Sequence, residues 1–189
     1  MEFDLRTLTD LEYKICDDIS TKRTDEHIAD IKRGDSRASY TNGCAGKLRD
    51  RSYQERKEDA FIGTLAELIT SKFTKCTWTK ESGQYKGNSN PDLKVIFRKK
   101  SIRCECRGTR KFDTIIYRPH QDIYRLDSLL VSITNLPRGP ICRIGYAFFR
   151  TLKELSHNHS EWIKAKDSRT PYYAIPIEYL SDDFSEFGD

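Results

Sequence analysis

The hydrophobic spacing of this chain predicts an α/β fold with a mixed central sheet flanked by helices, on three observations. Phe61, Leu65, Leu68, Ile69 and Phe73 recur near helical spacing within one long segment, Tyr53 to Phe73. Two strand-like runs follow, Asp92 to Arg98 and Ser101 to Arg107, and the short basic Arg98-Lys99-Lys100 connection between them suits a hairpin turn. Two further apolar runs, Ser128 to Ile133 and Ile141 to Phe149, stand on either side of Pro137, Gly139 and Pro140. The first is continuous enough to be a buried central strand. Helices, then strands, a crossover, two more strands and a helix make a layered sandwich rather than a bundle or a barrel.

The remaining elements follow in order. Leu5, Leu8, Leu11, Tyr13 and Ile15 form an apolar set, which Ile19, Ile28 and Ile31 continue after a break at Ser20-Thr21, and Gly34 stops the second helix. Residues 34 to 47 are rich in Gly, Ser and Asn and read as a loop. Residues 1–50 are therefore expected to be an N-terminal helical extension and loop, and 51–189 the core of a single domain. Gly63 and Ala66 let the long helix lie close on a sheet. Phe112 to Tyr117 reads as a third strand, Thr151 to Leu155 and Ser160 to Ala165 as short helices, and Pro171 to Pro176 as an edge segment.

Composition narrows the classes. Charged residues make up 33% of the chain and apolar ones 37%, so a core can form beneath a heavily charged surface. No apolar run approaches the roughly 20 residues that span a bilayer, and the acidic, mixed start MEFDLRTLTD is unlike a secretory leader. The expectation is a cytoplasmic protein without a membrane partner. The cysteines at 16, 44, 76, 104, 106 and 142 lack the paired spacing of a zinc site, and read as reduced, mostly buried thiols.

The chemistry concentrates between Asn90 and Lys111. Side chains alternate along a strand, so Asp92, Lys94 and Ile96 share one face, as do Arg103, Glu105 and Arg107. Pairing the two runs brings two carboxylates and two cations to one spot at a sheet edge, a constellation that binds Mg²⁺ and a phosphodiester. Lys94 to Arg118 holds nine cations against two acids, a net +7 in a chain whose total is +4. The plain alternative is a solvated hairpin edge. Because the excess surrounds two acids, a phosphate-backbone ligand is the favoured reading, with Arg98, Lys99, Lys100, Arg103, Arg110 and Lys111 as its candidate contacts.

Pro91-Asp92, twelve intervening residues, and Glu105-Cys106-Arg107 resemble the signature of the PD-(D/E)xK nuclease superfamily, with Glu67 as an acid in the preceding helix. The resemblance covers roughly residues 55 to 180. It implies a restriction-endonuclease-like core, DNA as partner, and Mg²⁺, or Mn²⁺ in its place, as cofactor. It further implies an endonuclease of restriction, repair or phage type. Asp92 and Glu105 would hold the metal together with the Cys106 carbonyl, and Glu67 a second ion or a metal-bound water. Arg107 stands where the family has Lys. Arginine stays protonated and cannot act as a general base, but it can hold a phosphate or stabilise charge. Lys94, on the face of Asp92, is the candidate for a relocated lysine, and Lys111, beyond Gly108, a weaker one. Two other readings stand beside the enzyme: a catalytically weakened pseudonuclease that holds DNA without cutting it, and an interaction domain whose acids are hairpin surface. Cutting both strands with one site per chain favours a homodimer. His27, His120, His157 and His159 lack the context of a His-metal nuclease. Tyr117, Tyr124, Tyr172 and Tyr173 are candidates for stacking on bases, although Tyr at this frequency is more often core or surface packing.

Overall fold

The computed structural model of the chain describes residues 1–33, 51–78, 91–119, 125–164 and 172–188. Two long helices open the architecture. Helix α1 (Asp10–Lys32) and helix α2 (Tyr53–Thr74) both start on a capping box. The Thr9 hydroxyl accepts from the Glu12 N–H at 3.2 Å while the Glu12 carboxylate accepts from the Thr9 N–H at 2.8 Å. Ser52 and Glu55 repeat the same distances. Each box satisfies two of the backbone donors that a helix start leaves without partners. Helix α2 stops at Lys75, whose φ of 54° is left-handed.

The Ser20-Thr21 break expected in the N-terminal helix does not occur. Ser20 donates its hydroxyl back to the Asp17 carbonyl and Thr24 to the Ser20 carbonyl, both at 2.8 Å, so the helix absorbs these polar groups and runs on. The segment around Gly34 and the expected loop of residues 34 to 47 lie outside the described residues.

The main sheet has five strands: β1 (Glu2–Asp4), β2 (Leu93–Phe97), β3 (Lys100–Gly108), β5 (Leu129–Ile133) and β6 (Ile141–Phe148), in the order β1-β6-β5-β3-β2. The β3–β5 pair is parallel and its neighbours are antiparallel, so the sheet is mixed. The N-terminal segment is thus more than a helical extension: it contributes an edge strand to this sheet, and α1 packs along α2.

A second sheet, β4 (Thr114–Tyr117), β8 (Tyr172–Pro176) and β7 (Ile163–Lys164), is antiparallel in the order β4-β8-β7. The Phe112–Tyr117 run does form a strand, but in this small sheet. The expected edge segment at 171–176 contains its central strand, paired on both sides. Helix α3 (Phe149–Asn158) is longer than the expected Thr151–Leu155. Where a helix was expected, Ser160–Trp162 is a single 3₁₀ turn leading into β7, and Ala165 lies outside the described residues. Leu155 and Trp162 pack against the small-sheet core, and the chain turns into a strand there to follow β8.

Two cores lie on opposite faces of the main sheet. On one, Ile62, Leu65, Ala66 and Ile69 of α2 meet Leu93, Val95, Cys104, Cys106 and Val131. On the other, Leu130 and Ala147 meet Ile115, Phe149, Leu152 and Ile175. The order is therefore helices, main sheet, then small sheet with α3. Gly108 sets the spacing of the first interface, since a Cβ there would lie 2.8 Å from the Ile62 carbonyl oxygen and 2.5 Å from its Cγ2. That close approach lays β3 against α2 and brings the next turns of the helix toward the start of β2.

Candidate functional site

The β2–β3 register builds the site. Leu93 pairs with Cys104 and Lys94 with Arg103. Residues directly opposite in an antiparallel pair share a face. The same register, carried one rung beyond Leu93, sets Asp92 opposite Glu105. Pro91 ends the strand here because it has no N–H for the ladder. The Asp92 carboxylate takes over as acceptor, receiving the Cys106 N–H at Oδ2 over 2.8 Å. A residue's N–H and C=O leave a strand on the same side, so the Cys106 carbonyl faces this edge too.

The alternation expected for the second run is present. Cys104 and Cys106 are buried in the helix-side core, while Glu105 lies opposite Leu130, a residue of the other core. Among the described residues five cysteines are free thiols, four of them buried, and Cys44 lies outside the described residues.

Two arginines bond the acids, and a third lies near them. Arg23, from α1, grips Glu67 with two bonds, Nη1–Oε1 at 2.9 Å and Nη2–Oε2 at 2.8 Å, and also reaches the Thr64 hydroxyl at 2.9 Å. Arg125 donates from Nη1 to Glu105 Oε2 at 2.7 Å. Arg107 donates to the Ile116 carbonyl at 3.0 Å, and its guanidinium lies 5.4 Å from the Phe149 ring centroid. Neither Arg23 nor Arg125 was legible as a site residue. Each sits in an ordinary mixed segment, and only folding across the gap pairs it with its acid.

Burial sets the protonation balance. It pushes the Glu67 carboxyl up to about 7 against the pull of Arg23, and the negative charge of Asp92 adds to the rise. The Trp78 indole Nε1–H helps hold that charge but falls outside hydrogen-bond geometry, and it has no other partner among the described residues. Burial also raises Asp92, opposed by the Cys106 N–H and by Arg23, Arg125 and Arg107. Glu105 is raised by burial and by the charge of Asp92, and held down by Arg125, Arg107 and Arg103. The three acids thus form one electrostatic group, with Asp92 between the two faces of the sheet.

The fold divides the basic window. The hairpin turns on Arg98 and Lys99, both with positive φ (48° and 60°), as a two-residue turn of the right twist requires, and Lys100 already begins β3. Arg98 is bound at this tip by the C-terminal segment: its N–H donates to the Glu186 carbonyl at 3.0 Å and its Nε to the Glu186 carboxylate at 2.6 Å. At about 3.3 Å per residue the tip stands roughly 20 Å along the ribbon from Asp92. Arg110 pairs with Asp59 at 2.8 Å and Glu58 at 3.5 Å, and Lys111 lies over the Tyr172 ring. Lys94 and Arg103 are exposed two rungs from the acids, on their face.

Of the other candidates, Tyr117, Tyr173 and His159 have packing roles. Tyr117 is buried and pairs with Tyr173 across the small sheet. His159 stacks on Trp162 at 3.9 Å and bonds Glu161 through Nδ1 at 2.8 Å. His27 and His157 lie in α1 and α3. His120 and Tyr124 lie outside the described residues.

Asp92, Glu105 and the Cys106 carbonyl offer the hard oxygen donors that Mg²⁺ or Mn²⁺ takes. The mutual repulsion of the two carboxylates is what a cation would relieve, so this donor set fits such an ion. Among the described residues, however, no three His, Cys, Asp or Glu side chains are gathered into a ready-made metal site, and Glu67 is committed to Arg23. No helix among the described residues is long and apolar enough to cross a membrane. Comparison with protein-family models, with curated proteins and with solved structures finds no match.

Proposed function

We propose that the chain is a metal-dependent nuclease that hydrolyses DNA phosphodiester bonds, an endonuclease of restriction, repair or phage type on a restriction-endonuclease-like core. The observation that carries this reading is the bond from the Cys106 N–H to Asp92. It ties the acid of the Pro-Asp pair to the middle residue of Glu105-Cys106-Arg107, at the end of a ribbon that carries Lys94 and Arg103 two rungs further on. Asp92, Glu105 and the Cys106 carbonyl would hold Mg²⁺ or Mn²⁺, which when bound activates water and neutralises phosphate charge. The protein's own part is to orient and to counter charge. Arg107, always protonated, opposes charge building on the phosphate, and Lys94 and Arg103 hold the flanking backbone.

The experiment is incubation of supercoiled and linear DNA with Mg²⁺, Mn²⁺ or EDTA, beside Asp92→Asn and Glu105→Gln. Cleavage that needs the metal and both acids supports the reading. Cleavage by either variant at the wild-type rate overturns the assignment of that acid. A second reading, a DNA-binding pseudonuclease, is favoured by the tie of Arg107 to Ile116 and Phe149, which makes it part of the scaffold. Wild type that binds DNA but is inert with every divalent ion, while Arg107→Lys cuts, would select it.

A further inference from the structure

We infer that Arg125 is a stand-in cation on Glu105: it occupies the carboxylate that a divalent ion would use, and is released toward substrate phosphate when such an ion binds. This rests on the nuclease reading of the same site. The structure contains its own control in the Arg23–Glu67 pair. Arg23 is held by two bonds to Glu67 and a third to Thr64, whereas the Arg125–Glu105 pair has one bond at 2.7 Å. The side chain of Arg125 is 27% exposed against 17% for Arg23, so it borders the solvent into which it would swing.

The charge of Arg125 also acts on Asp92 as well as on Glu105. One guanidinium thus serves two carboxylates, alongside Arg107, which acts on both, Arg23 on Asp92 and Arg103 on Glu105, and it brings one positive charge where a divalent ion brings two. A divalent ion between the same carboxylates balances both charges, so the exchange favours the ion. The freed guanidinium is a planar fork of donors suited to a phosphate. Because the same arginine cannot serve Glu105 and a phosphate together, divalent-ion binding and phosphate binding are coupled, each strengthening the other.

The test begins with Mn²⁺ alone, titrated into wild type, Arg125→Ala and Arg125→Lys at about pH 8, above the ordinary carboxylate range, and followed by electron paramagnetic resonance. Removing the competitor should tighten Mn²⁺ binding about tenfold, the scale of one charge-assisted hydrogen bond. Lysine should fall between, as a weaker competitor. Binding by Arg125→Ala where wild type shows none would support the inference equally. Wild type that binds Mn²⁺ and cuts DNA, beside an Arg125→Ala protein that binds no tighter, overturns the inference and leaves the nuclease reading standing. If neither protein binds Mn²⁺, both fall.

Should Arg125→Ala fail to fold, wild type alone decides through the Arg125 Nε–H resonance. Adding Mg²⁺ should shift it and speed its exchange with water, and adding a short DNA duplex with non-cleaving Ca²⁺ should shift it again. A resonance that Mg²⁺ leaves unchanged in a protein shown to bind it overturns the inference.

Discussion

Two carboxylate–guanidinium pairs flank Asp92, one on each face of the main sheet, and they are held differently. Glu67 and Arg23 form a doubly bonded pair on the helix side, with side chains 5% and 17% exposed. Glu105 and Arg125 meet through one bond on the small-sheet side, 11% and 27% exposed. Removing charge from water is expensive, and a buried pair repays the cost only with good geometry and further bonds. The first pair meets that condition with two parallel bonds and Thr64. The second meets it in part, beside a like-charged neighbour. Similar chemistry thus makes a clamp on one face and an exchangeable contact on the other.

The largest expected effect is on stability. Arg23→Met leaves Glu67 buried without its partner and should cost about 3–5 kcal/mol, whereas Arg125→Met should cost about 1–3 kcal/mol, since it removes one charge-assisted bond near solvent. Adding Glu67→Leu to Arg23→Met should recover most of the loss, because no orphan charge remains. Urea midpoints at unchanged slope measure all three. Equal losses for the two arginines would mean that the pairs are held alike.

Catalysis should rank the acids the other way. Asp92→Asn and Glu105→Gln should each lower the cleavage rate by at least about 10²-fold, the scale of one charge-stabilising group. Glu67→Gln, whose carboxylate Arg23 already occupies, should lower it by only about tenfold. Rates at saturating DNA with matched folded fractions make the comparison. A loss at Glu67 as deep as at Glu105 would make the clamp a metal ligand.

The pH dependence of stability isolates the clamp further. An acid raised in the folded state from its ordinary 4.5 to about 7 binds more protons folded than unfolded across that interval. Its stabilising contribution is complete below the unfolded value and is lost as pH rises through the folded one, at up to about 1.4 kcal/mol per pH unit. Wild type should therefore lose stability relative to Glu67→Gln between about pH 5 and about pH 7. Asp92 and Glu105, raised in the same direction, add the same sign in both proteins. Parallel wild-type and Glu67→Gln curves would show that Arg23 keeps Glu67 ionised throughout.

The smallest effect should be at the hairpin. Lys94→Ala with Arg103→Ala, beside Glu105, should reduce the log–log salt slope of DNA binding by up to about 0.9 per lost phosphate contact. Lys99→Ala with Lys100→Ala, at the far end, should change it less. The reverse order would put the DNA path across the tip instead of the base.

Much of the site was legible because it is local. Alternation alone separates Glu105 from Cys104 and Cys106, and a two-residue turn fixes the register that brings Asp92 toward Glu105. Helix α2 was readable from its apolar spacing, and Glu67 entered the candidate site only through the family resemblance. The Ser20-Thr21 break was misread because local sequence does not reveal that hydroxyls will bond back within a continuing helix. The small sheet was not legible either. Residues 114–117 and 172–176 have ordinary strand patterns, and nothing near them indicates that they pair with each other rather than join the main sheet.

The sequence by itself determined the helix starts, the hairpin, the alternation that buries the thiols and turns Glu105 away from them, and the Pro91-Asp92 stop. All are interactions between neighbours, fixed by dihedral preference and side-chain periodicity. Only the tertiary structure decided which cations meet which acids. Arg23 and Glu67 are 44 residues apart and Arg125 and Glu105 are 20. Two cations of the basic window have bonds elsewhere, Arg98 to Glu186 and Arg107 to the Ile116 carbonyl. Arg103 and Arg107, on the strand of Glu105, act on it through their charge, but the cations bonded to Glu67 and Glu105, Arg23 and Arg125, come from other segments packed against them.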